Sequence, residues 1–236
     1  TVMITAMGVL LYSTNALLPL FLQTLMGYPA LQSGEAVSPR GAGAVLGMLI
    51  IASLMKRIDP RVLVGTGFGL VATSTFVLGN LTLDVGTASV MWPNVISGLG
   101  TAFVFVPLAT LSFGTLTLDK MGDGTGVFNL MRNIGGSVGI SLSTTLVERA
   151  SLVHQNMLSG HMTPLSDTFA NHVAALGTAL GSTAQSYAVV YQNLLQQSAM
   201  FAYVDTFRWL ALLALATIPL SLMLRRGTST APVSVH

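Results

Sequence analysis

The chain has 236 residues, of which 52% are hydrophobic and only 8% charged, with a mean hydropathy of +0.72. A soluble domain of this size carries about 25% charged residues, so the composition argues against a water-soluble globule. The net charge of +2, with no basic cluster interleaved with aromatics, does not point to nucleic acid, and the lack of cysteine excludes disulfides, iron–sulfur clusters and cysteine-ligated zinc.

A bilayer core of about 30 Å needs roughly 20 helical residues. Uncharged runs of that length predict six spans, over residues 2–26, 31–55, 62–83, 87–116, 124–147 and 199–224. The first starts at Thr1, inside a hydrophobic stretch with no signal-peptide pattern, so the chain reads as the C-terminal part of something longer. The second is the least regular, because Glu35 and Arg40 fall in its first half, Arg40 directly after Pro39. A Glu35–Arg40 pair would ease insertion, but five residues is a poor helical spacing. The expectation is Arg40 facing the interior and Glu35 near the outer interface. The fifth run holds one charge, Arg132, in the pattern Asn129-x-x-Arg132-x-x-Gly135-Gly136-Ser137-x-Gly139. An ionisable group at membrane depth costs several kcal/mol unless it faces a partner or a wet cavity. Arg132 either lines a cavity and changes partners there, or is a fixed tie to a carbonyl or to Asn129 one turn away.

Lys56, Arg57 and Arg61 follow the second run, Lys120 the fourth, and Arg225 with Arg226 the sixth, so the basic loops share one side. The positive-inside rule makes that side, and the C-terminus, cytoplasmic. The expected organisation is five spans in residues 1–147, an external segment 148–198, the last span 199–226 and a cytoplasmic tail 227–236. Trp92 and Trp209 then fall near the outer interface. A seventh span within 168–198 would bury many amides and hydroxyls and break the alternation of the basic loops. That stretch instead predicts an exposed or interfacial helical excursion, with a helix over 185–197.

Several residues invite two readings. Asn15, Gln23, Asn94 and Asn129 are candidate polar contacts in apolar walls. Gly43-x-x-x-Gly47, Gly65-x-x-x-Gly69 and Gly135-x-x-x-Gly139 have the spacing that lets membrane helices approach closely, with gating as the rarer use. Asp205 and Arg208, one turn apart, make an interfacial ion pair or, with Asp205 as carrier, a proton relay. No Walker loop, zinc-protease motif, nucleophile elbow or dinucleotide fingerprint occurs, so an enzyme is not expected. His154, His161 and His172 lie in the external segment and His236 in the tail, without a neighbouring carboxylate in sequence, so no metal site is expected.

The segment Ala52-Ser53-Leu54-Met55-Lys56-Arg57-Ile58-Asp59-Pro60-Arg61 reads from composition as a positive-inside tether. It also resembles the degenerate second copy of the major facilitator loop motif, matching at Leu54, Arg57 and Arg61 and departing at Ala52, Lys56 and Asp59. Further pieces, in order, are similar to the C-terminal half of 14-span drug:proton antiporters of the EmrB/QacA type. They are Leu17-Leu18-Pro19 with Gln23, Gly27-Tyr28-Pro29, Pro39-Arg40-Gly41, the Asn129/Arg132/Gly135 run, and Ala202-Tyr203-x-Asp205-x-Phe207-Arg208. The resemblance implies an all-α membrane protein, six helices forming half of a major facilitator fold, with Arg57, Asp59 and Arg61 as a conformational latch. It implies proton-coupled export of drugs or other amphipathic molecules by alternating access, with no cofactor beyond the proton gradient. Implied partners are the bilayer, a small-molecule substrate, an N-terminal half and, in a two-membrane envelope, a periplasmic adaptor. A non-transporting scaffold, an inactive half, and an exporter of a lipid, siderophore or metabolite are the alternatives.

Overall fold

The computed structural model describes residues 1–82, 86–114, 116–160 and 167–223, and these are helical throughout apart from short connections. The helices are α1 (Val2–Thr24), α2 (Ala30–Val37), α3 (Pro39–Leu54), α4 (Pro60–Leu78), α5 (Thr87–Phe113), α6 (Met121–Ser159), α7 (Asp167–Leu180) and α8 (Thr183–Leu222). Five stretches are long and apolar enough to cross a membrane: α1, α2 with α3, α4, α5 and α8 from Ala184. The expected fifth run, 124–147, lies inside α6, a helix that also carries Asp123, Arg132, Glu148 and Arg149.

Local chemistry explains the breaks. Pro39 has no N–H for the Glu35 carbonyl, and the Ser38 hydroxyl donates to that carbonyl instead, at 3.0 Å. The irregular second run is therefore two helices joined at Ser38. Asp59 caps α4, accepting from the Arg61 N–H at 3.1 Å, with Pro60 in the first turn where an N–H is not needed. Arg57 is exposed and the Arg61 Nε is enclosed with no hydrogen-bond partner among the described residues. In this conformation Asp59 works as a helix cap.

α1 runs through the core. Its Leu10, Leu17, Leu18, Phe21 and Leu22 are buried, alongside Val64 and Phe68 of α4 and Phe207 of α8. The Phe21 ring packs on Tyr203 of α8 at 5.4 Å. Lipid is as apolar as leucine, so such a bundle gains chiefly from close packing rather than from escape from water. Many outward residues are large and apolar, among them Leu49, Phe76, Trp209 and Leu212, as a lipid-facing surface requires.

Glycines set the closest helix crossings. Gly8 of α1 lies against the Arg132 carbonyl of α6, and Gly135 of α6 against the Thr5 carbonyl of α1. Gly43 of α3 meets the Val95 carbonyl of α5, and Gly98 of α5 meets the Arg40 carbonyl of α3. A Cβ at any of the four would overlap backbone. Gly136 and Gly139 continue the first contact, against the Tyr12 ring and Val9, while Gly47 continues the second, against Ala102 and Leu99. Gly65 and Gly69 are looser, meeting only the ends of Ser221 and Ile218.

α6 and α8 have 39 and 40 residues, about 60 Å each, twice a bilayer core. Gln196 of α8 donates to the Leu25 carbonyl at the end of α1. The part of α8 before it projects about 20 Å past α1. α7 packs on α8. The helix expected over 185–197 is the first part of the unbroken α8, and no helix end falls at 147 or 148.

Candidate functional site

Four helices form a wall in the order α3, α5, α1, α6, joined by the two glycine crossings and a lighter α5–α1 seam. A cavity of about 550 Å³ opens between α1, α2, α3 and α5, lined among others by Leu11, Gln23, Ser33, Val37, Arg40 and Thr101. That volume is in the range of small-molecule sites. Its lining is mostly apolar with a few converging polar groups.

Arg40 starts on α3 and reaches across the seam to α1. Its guanidinium donates to Asn15 Oδ1 and, at 3.3 Å, to Thr14 Oγ1. Asn15 is exposed on the wall, whereas Glu35 is exposed elsewhere and makes no ion pair with Arg40. The Glu35–Arg40 pair is thus not formed, because the break at Ser38 and the five-residue spacing turn the two apart. Gln23 sits at the cavity mouth, its amide 3.4 Å from Ser33 Oγ of α2.

Arg132 starts on α6 and reaches α5 instead. Its guanidinium carbon stands 5.6 Å from the centroid of Phe105, a cation–π distance. Phe105 in turn packs edge-on to Phe128 at 5.8 Å, and Phe128 packs on Phe113 at 5.2 Å. The tie to Asn129 is not formed, and Asn129 is half-buried one turn below. The Nε of Arg40 and that of Arg132 are both enclosed without a hydrogen-bond partner among the described residues.

The other expected contacts fall elsewhere. Asn94 is fully buried and donates to the Val90 carbonyl of its own helix, 2.9 Å, so it belongs to the core and not to the cavity. Asp205 and Arg208 do not pair. Asp205 Oδ2 lies 2.8 Å from His154 Nε2 of α6, and Arg208 donates to the Gly79 carbonyl and Asn80 Oδ1 at the end of α4, both 3.0 Å. Neighbouring helices offer better geometry than a one-turn reach along α8. His154 is hydrogen-bonded to the Asp205 carboxylate, and Phe201 stacks by the imidazole at 5.5 Å. Thr14, Ser33, Tyr12 with Asn133 (3.3 Å), and His154 were not legible as partners in sequence, since their contacts join distant helices. His161 and His236 lie outside the described residues, as do Arg225, Arg226 and the tail, and the His172 side chain likewise. No cluster of three or more metal-ligating side chains occurs among the described residues.

Similarity to known proteins bears directly on this wall. The sequence profile of the Major Facilitator Superfamily matches residues 1–140, which include α1 to α5 and both arginines. The chain is 29% identical over 217 residues to the fatty acid resistance protein FarB of Neisseria gonorrhoeae, covering 92% of this chain and 43% of that protein. It is 27% identical over 225 residues to the colistin resistance protein EmrB of Acinetobacter baumannii (93% and 44%), and 30% identical over 213 residues to the multidrug export protein EmrB of Haemophilus influenzae (88% and 41%). The chain thus spans less than half the length of these relatives. With a profile match over more than half of its residues and relatives that align along most of it, the chain belongs to the major facilitator superfamily.

Proposed function

We propose that the chain is the C-terminal half of a proton-coupled exporter of amphipathic small molecules, working by alternating access. The observation that carries this reading is the four-helix wall. It carries Asn15, Arg40 and Arg132 in the interior turns of the proposed spans, with Gln23 at the mouth of a cavity of about 550 Å³ that Arg40 also lines. Polar groups at that depth are expensive to insert and are kept where they line a pathway. Its glycine crossings give two rigid helix pairs that can rock as units against an N-terminal half. On this reading α6 is a span over 124–147, which brings the count to six. The basic loops are cytoplasmic, and the projecting parts of α6 and α8 with α7 face outward, where a periplasmic adaptor can meet them. The names of the relatives, with fatty acid, colistin and multidrug resistance among them, support export across a membrane.

The test is efflux by the protein at its natural full length, expressed in cells loaded with amphipathic dyes of both charges. Export that collapses on adding a protonophore is the expected result. Residues 1–236 expressed alone are expected to insert but not export. Export by this chain alone, or export indifferent to the proton gradient, contradicts the proposal.

A further inference from the structure

The two glycine crossings are copies of one arrangement. Arg40, Gly43 and Gly47 of α3 stand 92 positions before Arg132, Gly135 and Gly139 of α6. Thr5, Gly8 and Asn15 of α1 stand 90 positions before Val95, Gly98 and Phe105 of α5. The contacts obey the same mapping. Gly43 meets Val95 as Gly135 meets Thr5, and Gly98 meets the Arg40 carbonyl as Gly8 meets that of Arg132. Even the arginine head groups agree, with Arg40 over Asn15 and Arg132 over Phe105.

Under this mapping each arginine reaches across the α5–α1 seam. Arg40 belongs to the helix packed on α5 but reaches α1; Arg132 belongs to the helix packed on α1 but reaches α5. Both therefore lean inward over the α5–α1 seam from opposite flanks. Their depths also agree. Arg40 lies ten residues from the start of its kinked span at Ala30, and Arg132 lies eleven from the start of α6 at Met121, about 15 Å in each case. If α6 is a span, the two spans enter from opposite ends, which puts both charges near the middle of the bilayer.

Neither charge is neutralised. No acid forms an ion pair with either guanidinium among the described residues, and Asp205 is engaged by His154. Arg132 makes no hydrogen bond there at all, and Arg40 bonds only neutral oxygens. Two half-buried guanidiniums with free donors attract an anion, and their planar forks suit a carboxylate or sulfonate. Apolar room for a tail lies beside Arg40, in the cavity lined by Leu11 and Val37, while beside Arg132 the rings of Phe105, Phe113 and Phe128 pack on one another and close that flank.

We infer that the wall selects amphiphiles with a single negative charge, held by Arg40 and Arg132 as a symmetric pair with the tail along the seam. The inference rests on the efflux reading for its purpose, but binding needs no proton gradient and can be measured apart from transport. The probes are octanoate, octanol and octyltrimethylammonium, which share a tail and differ in head charge. They are titrated by calorimetry into the full-length protein in nanodiscs, with empty nanodiscs as the blank. Octanoate is expected to bind at least ten-fold more tightly than either analogue. Arg40→Gln and Arg132→Gln should each weaken octanoate about ten-fold and leave octanol within two-fold, while Arg40→Lys and Arg132→Lys keep most of the preference. Thermal melting of each variant separates lost binding from lost folding, and the Lys variants serve if a Gln variant unfolds. Octyltrimethylammonium binding as tightly as octanoate overturns the inference, and so does octanoate affinity unchanged in both Gln variants. Dye export with no octanoate preference sinks the anion site alone. Octanoate preference without dye export sinks the efflux reading and leaves the anion site standing.

Discussion

The two flanks of the wall are built alike and finished differently. On the α3/α5 side Arg40 is tied by hydrogen bonds to Asn15 and Thr14; on the α6/α1 side Arg132 only rests on the Phe105 ring. The backbone frame, with its reciprocal glycine contacts, is the shared part. What differs is how firmly each charge is held. Hydrogen bonds fix direction, whereas a cation–π contact tolerates sliding over the ring face. Arg40 is thus the more firmly tied of the two in this structure.

The largest expected effect tests the shared frame. Gly135→Leu and Gly98→Leu each drive a side chain into the facing backbone, and overpacking of that kind costs at least about 1–3 kcal/mol. Both should cut the yield of monodisperse membrane protein in fluorescence-detected size exclusion. Gly41→Leu and Gly126→Leu meet open space and should leave it near wild type. Loss on one flank only would break the equivalence.

Next comes the difference between the arginines. Arg40→Gln loses the hydrogen bonds to Asn15 and Thr14, each worth about 0.5–1.5 kcal/mol net. Arg132→Gln loses a contact worth about 0.5–2 kcal/mol. Thermal melting in one detergent should therefore place Arg40→Gln below Arg132→Gln. The reverse order would assign the firm role to Arg132. A finer test is the double-mutant cycle of Arg132→Gln with Phe105→Leu, which should show coupling of about 0.5–1 kcal/mol. The same cycle with Asn15→Leu in place of Phe105→Leu should be additive. Smallest of all, Asp205→Asn should shift the melt by under about 1 kcal/mol, because its partner pair is partly exposed to solvent.

Much of the frame was legible in the sequence. Small-residue spacing at 43–47 and 135–139 is a local signal, and close helix approach follows from it. The single charge of the fifth run, Arg132, and the Glu35 and Arg40 of the second likewise marked where polar groups enter apolar helices. What was not legible is which helix each group meets. The Arg40–Asn15 contact joins residues 25 apart and His154–Asp205 joins residues 51 apart, and no periodicity within one helix encodes either. Asp205 and Arg208 show the opposite error, a tidy one-turn spacing that tertiary contacts override. Asn94 looked like a wall residue, yet its amide satisfies a carbonyl of its own helix in the core. The correspondence of the two flanks leaves little trace in the sequence, because it relates α3 to α6 and α1 to α5 through only a few shared residue types.

The central claim is that the face carrying Asn15 and Arg132 lines a water-filled pathway rather than lipid. Residues 1–236 contain no cysteine, so each single replacement adds one thiol, read against the unsubstituted full-length protein as the blank. In the full-length protein in intact membranes, Asn15→Cys and Asn133→Cys beside Arg132 should react with a charged, membrane-impermeant thiol reagent, and octanoate should slow both. Phe76→Cys and Leu212→Cys, equally exposed in the bundle, should stay inert in lipid. Equal inertness of all four would contradict the pathway, and with it this account of the wall.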